Sequence, residues 1–220
     1  MRKTDYVTEP EEIVDLFLNG AIVISAAIAD PAVHAAWDRP SVLEDQRVSS
    51  LAGHLARGGV WVVADYLDAG VPDGPVDFES AGEYFATFAS TVSPDDHRSI
   101  RNRGAAVGSV GRDELLQRLE ERLGALEPRL RSLDPAHLIA VMGGNVMRLG
   151  DYLATRIVEQ IVHLDDLARS VDLHSQLISA EAEALTIWVG IEVARRRSGN
   201  TALIRALYRE GFVEQTLPVL

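Results

Sequence analysis

The chain has 220 residues, 47% of them hydrophobic and 25% charged, an ordinary globular composition for one domain or two small ones. Its 33 acidic against 21 basic residues leave a formal net charge of -12, so most of the surface would repel a nucleic-acid backbone or an anionic membrane, and neither is expected as a partner. There is no cysteine, which excludes disulfides, thiolate metal ligands and a cysteine nucleophile; any thiol chemistry needs a thiol from outside.

The N-terminus carries acidic residues and Pro10 where a secretory signal would need an unbroken apolar core, and no later stretch approaches the ~20 apolar residues of a membrane span, so a cytoplasmic protein is expected. Lys3 is the one lysine among the basic residues, a codon-usage trait of GC-rich genomes that would suit an actinobacterial source.

In chain order, Ile13, Leu16, Phe17, Ala21 and Ile24 recur at helical spacing and predict an amphipathic helix over 11–29, ended or bent at Asp30-Pro31. A second helix is predicted from about Val48 to Leu67, with Ser49 or Ser50 near its start and Gly58-Gly59 weakening its middle as a bend or a close helix contact. Gly70, Pro72, Gly74 and Pro75 mark a surface loop over 68–77. Helical pattern resumes over 79–91 and 95–107, and again over 111–130, where Leu115, Leu116, Leu119, Leu123 and Leu126 are the expected buried side.

Residues 134–148 lack a helical period, and Gly143-Gly144-Asn145 is a turn signal that could join two short strands into a hairpin. Helices over 149–171 and 179–197, the latter stopped by Ser198-Gly199-Asn200, and a short one over 202–209 complete the chain. With no internal repeat or long heptad run, the fold class expected is all-α, an antiparallel helix bundle with extra short helices and a small hairpin.

The helix over 149–171 carries Tyr152, Arg156, Glu159, His163 and Asp166 at steps of four, three, four and three, which puts them on one face. Leucine, isoleucine and valine flank this stripe on both sides, so it is expected to face the bundle interior, where ionised groups need partners. A carboxylate and an imidazole one turn apart can give two ligands to one cation; equally, Arg156 could pair with Glu159 and His163 could be a packed core histidine. His54, beside Leu51, Gly53 and Leu55, reads as a core histidine or as a third ligand from the neighbouring helix, completing a two-histidine, one-carboxylate set with open positions for water or substrate.

His34, His97, His137 and His174 read as surface residues. Arg98, Arg101 and Arg103 form the densest basic patch, read first as a solvated helix face and otherwise as a seat for an anionic substrate or the polar end of a thiol cofactor. Glycine-rich phosphate loops and a GxSxG nucleophile are both missing.

The segment RVSSLAGHLARG resembles the motif around the first metal histidine of the mycothiol-dependent maleylpyruvate isomerase-like proteins, in the DinB-like superfamily, and LGDYLATRIVEQIVHLDDLA resembles their second signature. Residue by residue, the resemblance implies metal ligands His54, Glu159 and His163, a divalent ion (zinc, with nickel, iron or manganese as alternatives), and mycothiol as the external thiol. Arg156 and Asp166 fall at matching positions; physics makes Arg156 a partner for site carboxylates and Asp166 the orienter of a ligand. The resemblance implies a DinB-like four-helix bundle and runs weakly to the C-terminus, so all 220 residues are expected to form a single DinB-like domain, and too little chain remains after Arg197 for the α/β domain that follows the bundle in the isomerase proper.

The expected function is a metal-dependent mycothiol transferase or isomerase acting on a small electrophile, the metal lowering the pKa of the thiol. A metal-dependent hydrolase and a non-catalytic ligand-binding bundle are the rival expectations, and a homodimer is an open expectation for quaternary structure.

Overall fold

The computed structural model describes residues 10–91, 93–174, 178–213 and 217–218. Its elements are α1 Pro10–Ala29, α2 Pro31–Ala35, α3 Val48–Ala56, a π-helical segment Arg57–Trp61, α4 Val62–Asp68, α5 Ala81–Thr91, α6 Pro94–Gly108 and α7 Arg112–Ser132. There follow β1 Leu138–Ala140, a 3-10 turn Met142–Gly144, β2 Val146–Arg148, α8 Leu149–Ser170, α9 Ala180–Ser198 and α10 Asn200–Tyr208. The fold is all-α, a helix bundle with one small hairpin, in the expected element order.

Helix α8 is the axis of the bundle: α1, α3, α5 and α9 all pack against it. Its Leu149, Leu153, Ile157, Leu164 and Leu167 are buried, and so are Phe17, Ala21, Ile24 and Ile28 on the facing side of α1. A fully buried Leu, Ile or Phe contributes about 1.5–3 kcal/mol, against at most about 1 kcal/mol for an exposed ion pair. The α1–α8 seam therefore outweighs surface pairs such as Arg118–Glu114 in holding the bundle together.

The central position of α1 corrects one sequence expectation. Over Glu12–Ala29 it has a mean hydropathy of 1.8, long and apolar enough by length and composition to cross a membrane. The physical reason is that α1 packs against α7 as well as α8, so apolar residues occupy more than one of its faces and 56% of the segment is buried inside the bundle. Asp30 and Pro31 do not simply end this helix. The Asp30 carboxylate accepts from Ala32 N at 2.7 Å and caps α2, with Pro31 in its first turn.

In α7 the buried leucines are Leu115, Leu119, Leu126 and Leu130, while Leu116 and Leu123 are only half-buried. Steps of four and seven keep the first set in line, and Leu116 and Leu123 sit about 70° and about 50° round the helix from its centre. The hairpin pairs Leu138 with Arg148, Ile139 with Met147 and Ala140 with Val146, antiparallel. Its turn needs Gly143 and Gly144 at φ 78° and 80°, a region that favours glycine. The loop is fastened to the hairpin where Val146 N donates to the Asp77 carboxylate at 2.8 Å.

The predicted second helix is not one α-helix. It runs as α3, then the π segment across Gly58-Gly59, then α4. Extra residues in a turn are rare in an α-helix and cluster where a side chain must be re-aimed.

Candidate metal centre

His54 lies in the last turn of α3, just before the π segment, and Glu159 and His163 lie one turn apart on α8. Glycine brings the backbones close around His54. A Cβ on Gly104 of α6 would sit 3.0 Å from His54 Cβ, and one on Gly58 would sit 3.4 Å from the imidazole Cε1, so the ring is held between two residues without side chains. Gly53 and Gly108 let α3 and α6 meet backbone to backbone: a Cβ on Gly53 would overlap Gly104 O, and one on Gly108 would overlap Ser49 O.

The π segment fixes the other side. Gly58 O accepts from Arg156 Nη1 at 2.9 Å, and Gly59 O accepts from Gln160 Nε2 at 3.0 Å, so the two residues flanking the Glu159 turn of α8 are tied to the segment that follows His54.

The result is convergence. His54 Nε2 is 3.4 Å from Glu159 Oε2, His163 Nε2 is 3.6 Å from the same oxygen, and one ligand atom from each residue lies within 4.8 Å of the others. The imidazoles meet edge to face at 4.7 Å between centroids. Donors bound tetrahedrally at about 2.0–2.1 Å from one ion stand about 3.4 Å apart. Both carboxylate–imidazole separations match that figure, and nitrogen and carboxylate oxygen suit zinc, iron, manganese or nickel, so the donor set fits one divalent cation. The side chains are 18% to 22% exposed, buried enough to be ordered and open enough to be reached.

Electrostatics fit the same use. Burial alone would raise the Glu159 pKa, but the imidazoles of His163 and His54 and the charge of Arg156 outweigh it and hold the carboxyl well below its usual range. Burial would lower His163; the Asp166 and Glu159 carboxylates outweigh it and raise this imidazole to about 9.

Asp166 is buried, with Oδ2 3.0 Å from His163 Nδ1, which leaves Nε2 directed at the shared point with Glu159. A carboxylate behind a ligating histidine fixes tautomer and ring angle. Arg156 departs from the sequence expectation. Among the described residues it has no carboxylate within ion-pair distance. Its Nε donates to Thr155 Oγ1, its Nη1 to Gly58 O, and its guanidinium lies 4.8 Å over the Tyr152 ring. The four-residue step from Tyr152 to Arg156 favours that stacking, and the Gly58 carbonyl on the facing π turn takes the hydrogen bond that a carboxylate would have taken.

A cavity of about 100 Å3 opens beside His54 and Glu159. Tyr66, Tyr84, Phe85, Phe88 and Tyr152 form an aromatic wall, and Arg57, Arg103 and Arg156 supply positive charge. Tyr152 meets Tyr66 at 5.3 Å and Tyr84 at 6.4 Å between centroids, both edge to face. Burial raises the Tyr152 phenol well above its usual value and also raises Tyr84.

The sequence reading did not single out Arg57, Tyr84 or Phe88. The aromatic steps of one and three in Tyr84, Phe85 and Phe88 on one short helix were the available signal. The basic patch divides: Arg98 is exposed beside Asp95 at 3.5 Å, Arg101 is half-buried, and Arg103 lines the cavity. His34 and His174 are exposed, His137 is half-buried before β1, and the His97 side chain lies outside those described.

Neither the curated proteins nor the solved structures offer a match. One protein-family model matches residues 19–168, a span that contains His54, Arg57, Arg103, Arg156, Glu159, His163 and Asp166 and ends just before the end of α8. The chain therefore belongs to the mycothiol maleylpyruvate isomerase N-terminal domain family, within the DinB-like superfamily.

Proposed function

We propose that this is a cytoplasmic metal-dependent enzyme that joins mycothiol, or a closely similar small thiol, to an electrophilic carbon of a small substrate, in a transferase or isomerase reaction. The observation that carries the reading is the convergence of His54, Glu159 and His163 at one point on the wall of a cavity, in a chain of this family that has no cysteine. One divalent ion held there, zinc for preference, would supply a lowered thiol pKa and so thiolate at neutral pH.

The remaining chemistry falls to the chain. Glu159 brings negative charge and the two imidazoles bring neutral nitrogen, a set that offsets only half of a divalent charge, so that the remainder favours an anionic ligand such as thiolate at the open positions. Asp166 holds the His163 ring. Arg156 braces the π turn and so the approach of α3 to α8. Arg57 and Arg103, at the cavity and without an ion-pair partner among the described residues, are placed to receive an anionic group of the thiol compound or its substrate. The aromatic wall sheds water from a flat or unsaturated electrophile. In the reaction the S–H bond breaks and a C–S bond forms; the proton passes to the substrate in an addition, or leaves with the departing group in a substitution.

The test is a panel of epoxides, quinones, alkyl halides and activated alkenes, maleylpyruvate included, incubated with the metal-loaded protein and mycothiol, glutathione or no thiol. Products are read by mass spectrometry. Conjugates formed with mycothiol, and lost on chelation, are expected. Conjugates no faster than without protein, or products that incorporate water when no thiol is present, would replace this reading with a ligand-binding protein or a hydrolase.

A further inference from the structure

Helix α9 buries Ala182, Leu185, Val189 and Val193, the face that serves its packing against α5 and α8. A second line of residues runs along its outside: Glu181, Ala184, Trp188, Ile191 and Arg195, at steps of three, four, three and four. Trp188 is 42% exposed and Ile187 beside it 64%. Helix α10, which packs on α9, exposes Ile204, Leu207 and Tyr208, the last 70% exposed. Among the described residues, five of the thirteen exposed large hydrophobics thus fall within 187–208, a concentration that marks an interaction surface more than scattered exposure. Both helices lie beyond the family-matched span, so nothing in that match accounts for this face.

The order of residues along the line selects the occupant. It reads acid, small, aromatic, aliphatic, base, and Glu181 and Arg195 each stand seven residues from Trp188. That pattern is self-complementary when the helix is reversed end to end. A two-fold axis through Trp188 brings Glu181 of one copy to Arg195 of the other at both ends, about 10 Å from the axis. It also sets the small Ala184 beside the apolar centre of the opposite helix, leaving room for the indole. A parallel arrangement would instead oppose like charges.

We infer that the outer face of α9, flanked by α10, joins two copies of this chain into an antiparallel, two-fold dimer. A helix of 19 residues is about 28 Å long, so with the α10 side chains the contact stays near or below the ~800 Å2 per partner of a standard interface. The dimer should form at micromolar concentration and leave the metal centre, whose ligands lie on α3 and α8 and not on α9, with its metal content unchanged.

Sedimentation velocity of the full chain from ~1 to ~200 µM tests this. A shift from monomer to dimer across that range is expected, and Trp188→Ala should raise the dissociation constant at least ~10-fold. Glu181→Arg and Arg195→Glu should each weaken the dimer, and the two together should restore it, because the double reversal rebuilds both end pairs. Equal melting temperatures across the set keep misfolding from imitating the effect. A monomer at every concentration, which would leave the face to a different partner, overturns the inference. So does a dimer indifferent to these changes, and a double variant no better than the singles overturns the antiparallel register.

Discussion

Asp166 is where the surroundings of the donors reach their chemistry, because its carboxylate stands 3.0 Å from the far nitrogen of His163. Asp166→Asn keeps the shape and removes the charge. Metal affinity should fall ~10 to 100-fold without being abolished, as measured by competition with a chromophoric chelator. The raised pKa of His163 sets a pH dependence. With the metal stripped, an imidazole raised from 6.5 to about 9 contributes stability that is full below 6.5 and lost as pH rises through 9. Glu159, held low, contributes above its ordinary range and loses this only as pH falls. The stripped protein should therefore melt lower at pH 9 than at pH 6.5, an interval that calorimetry should find flattened in His163→Ala and in protein saturated with metal, where the ion has displaced the proton.

Arg156 has a different task. Arg156→Ala removes the bond to Gly58 O and the stack on Tyr152, and takes away the charge that helps keep Glu159 ionised. A loss of ~2–3 kcal/mol in urea unfolding is expected from the charged hydrogen bond alone. Arg156→Lys should recover only part of it, since an ammonium cannot reproduce the planar fork.

At the level of elements, the site depends on how closely α3 meets α6 and α8. The α3–α6 contact is made across Gly53, Gly104 and Gly108, and Gly108→Ala would drive a methyl into the Ser49 carbonyl. The helices must separate and His54 must move with α3, so ~1–3 kcal/mol of destabilisation should come with weaker metal binding. Gly124→Ala, on the open side of α7 where a Cβ meets nothing, should stabilise slightly or change nothing, and is the control. The same elements show what a sequence can and cannot carry. The stripe from Tyr152 to Asp166 was legible because helical period and flanking leucines both act within one helix. The π segment was not: Gly58-Gly59 reads as a weak point, and only the positions of Arg156 and Gln160 across the gap make an extra-residue turn the better solution. The partner of Arg156 was missed for the same reason, since a backbone carbonyl leaves no mark in a sequence.

At the level of the whole molecule, the bundle order followed from apolar periodicity, and the cavity did not. Its wall combines α3, the π segment, α4, α5, α6, the hairpin turn and α8, and no local pattern says which side chains of seven elements will share one space. The apolar composition of α1 likewise reflects its surroundings, because a helix packed against α7 as well as α8 buries more than one face. The proposed chemistry needs one ion seated between α3 and α8, and elemental analysis of protein purified without chelator or nickel resin, set beside Glu159→Ala, reads that most directly. About one divalent ion per chain in the native protein, most of it lost from the variant, is the predicted result; no stoichiometric metal in the native protein, or full occupancy in the variant, would contradict it.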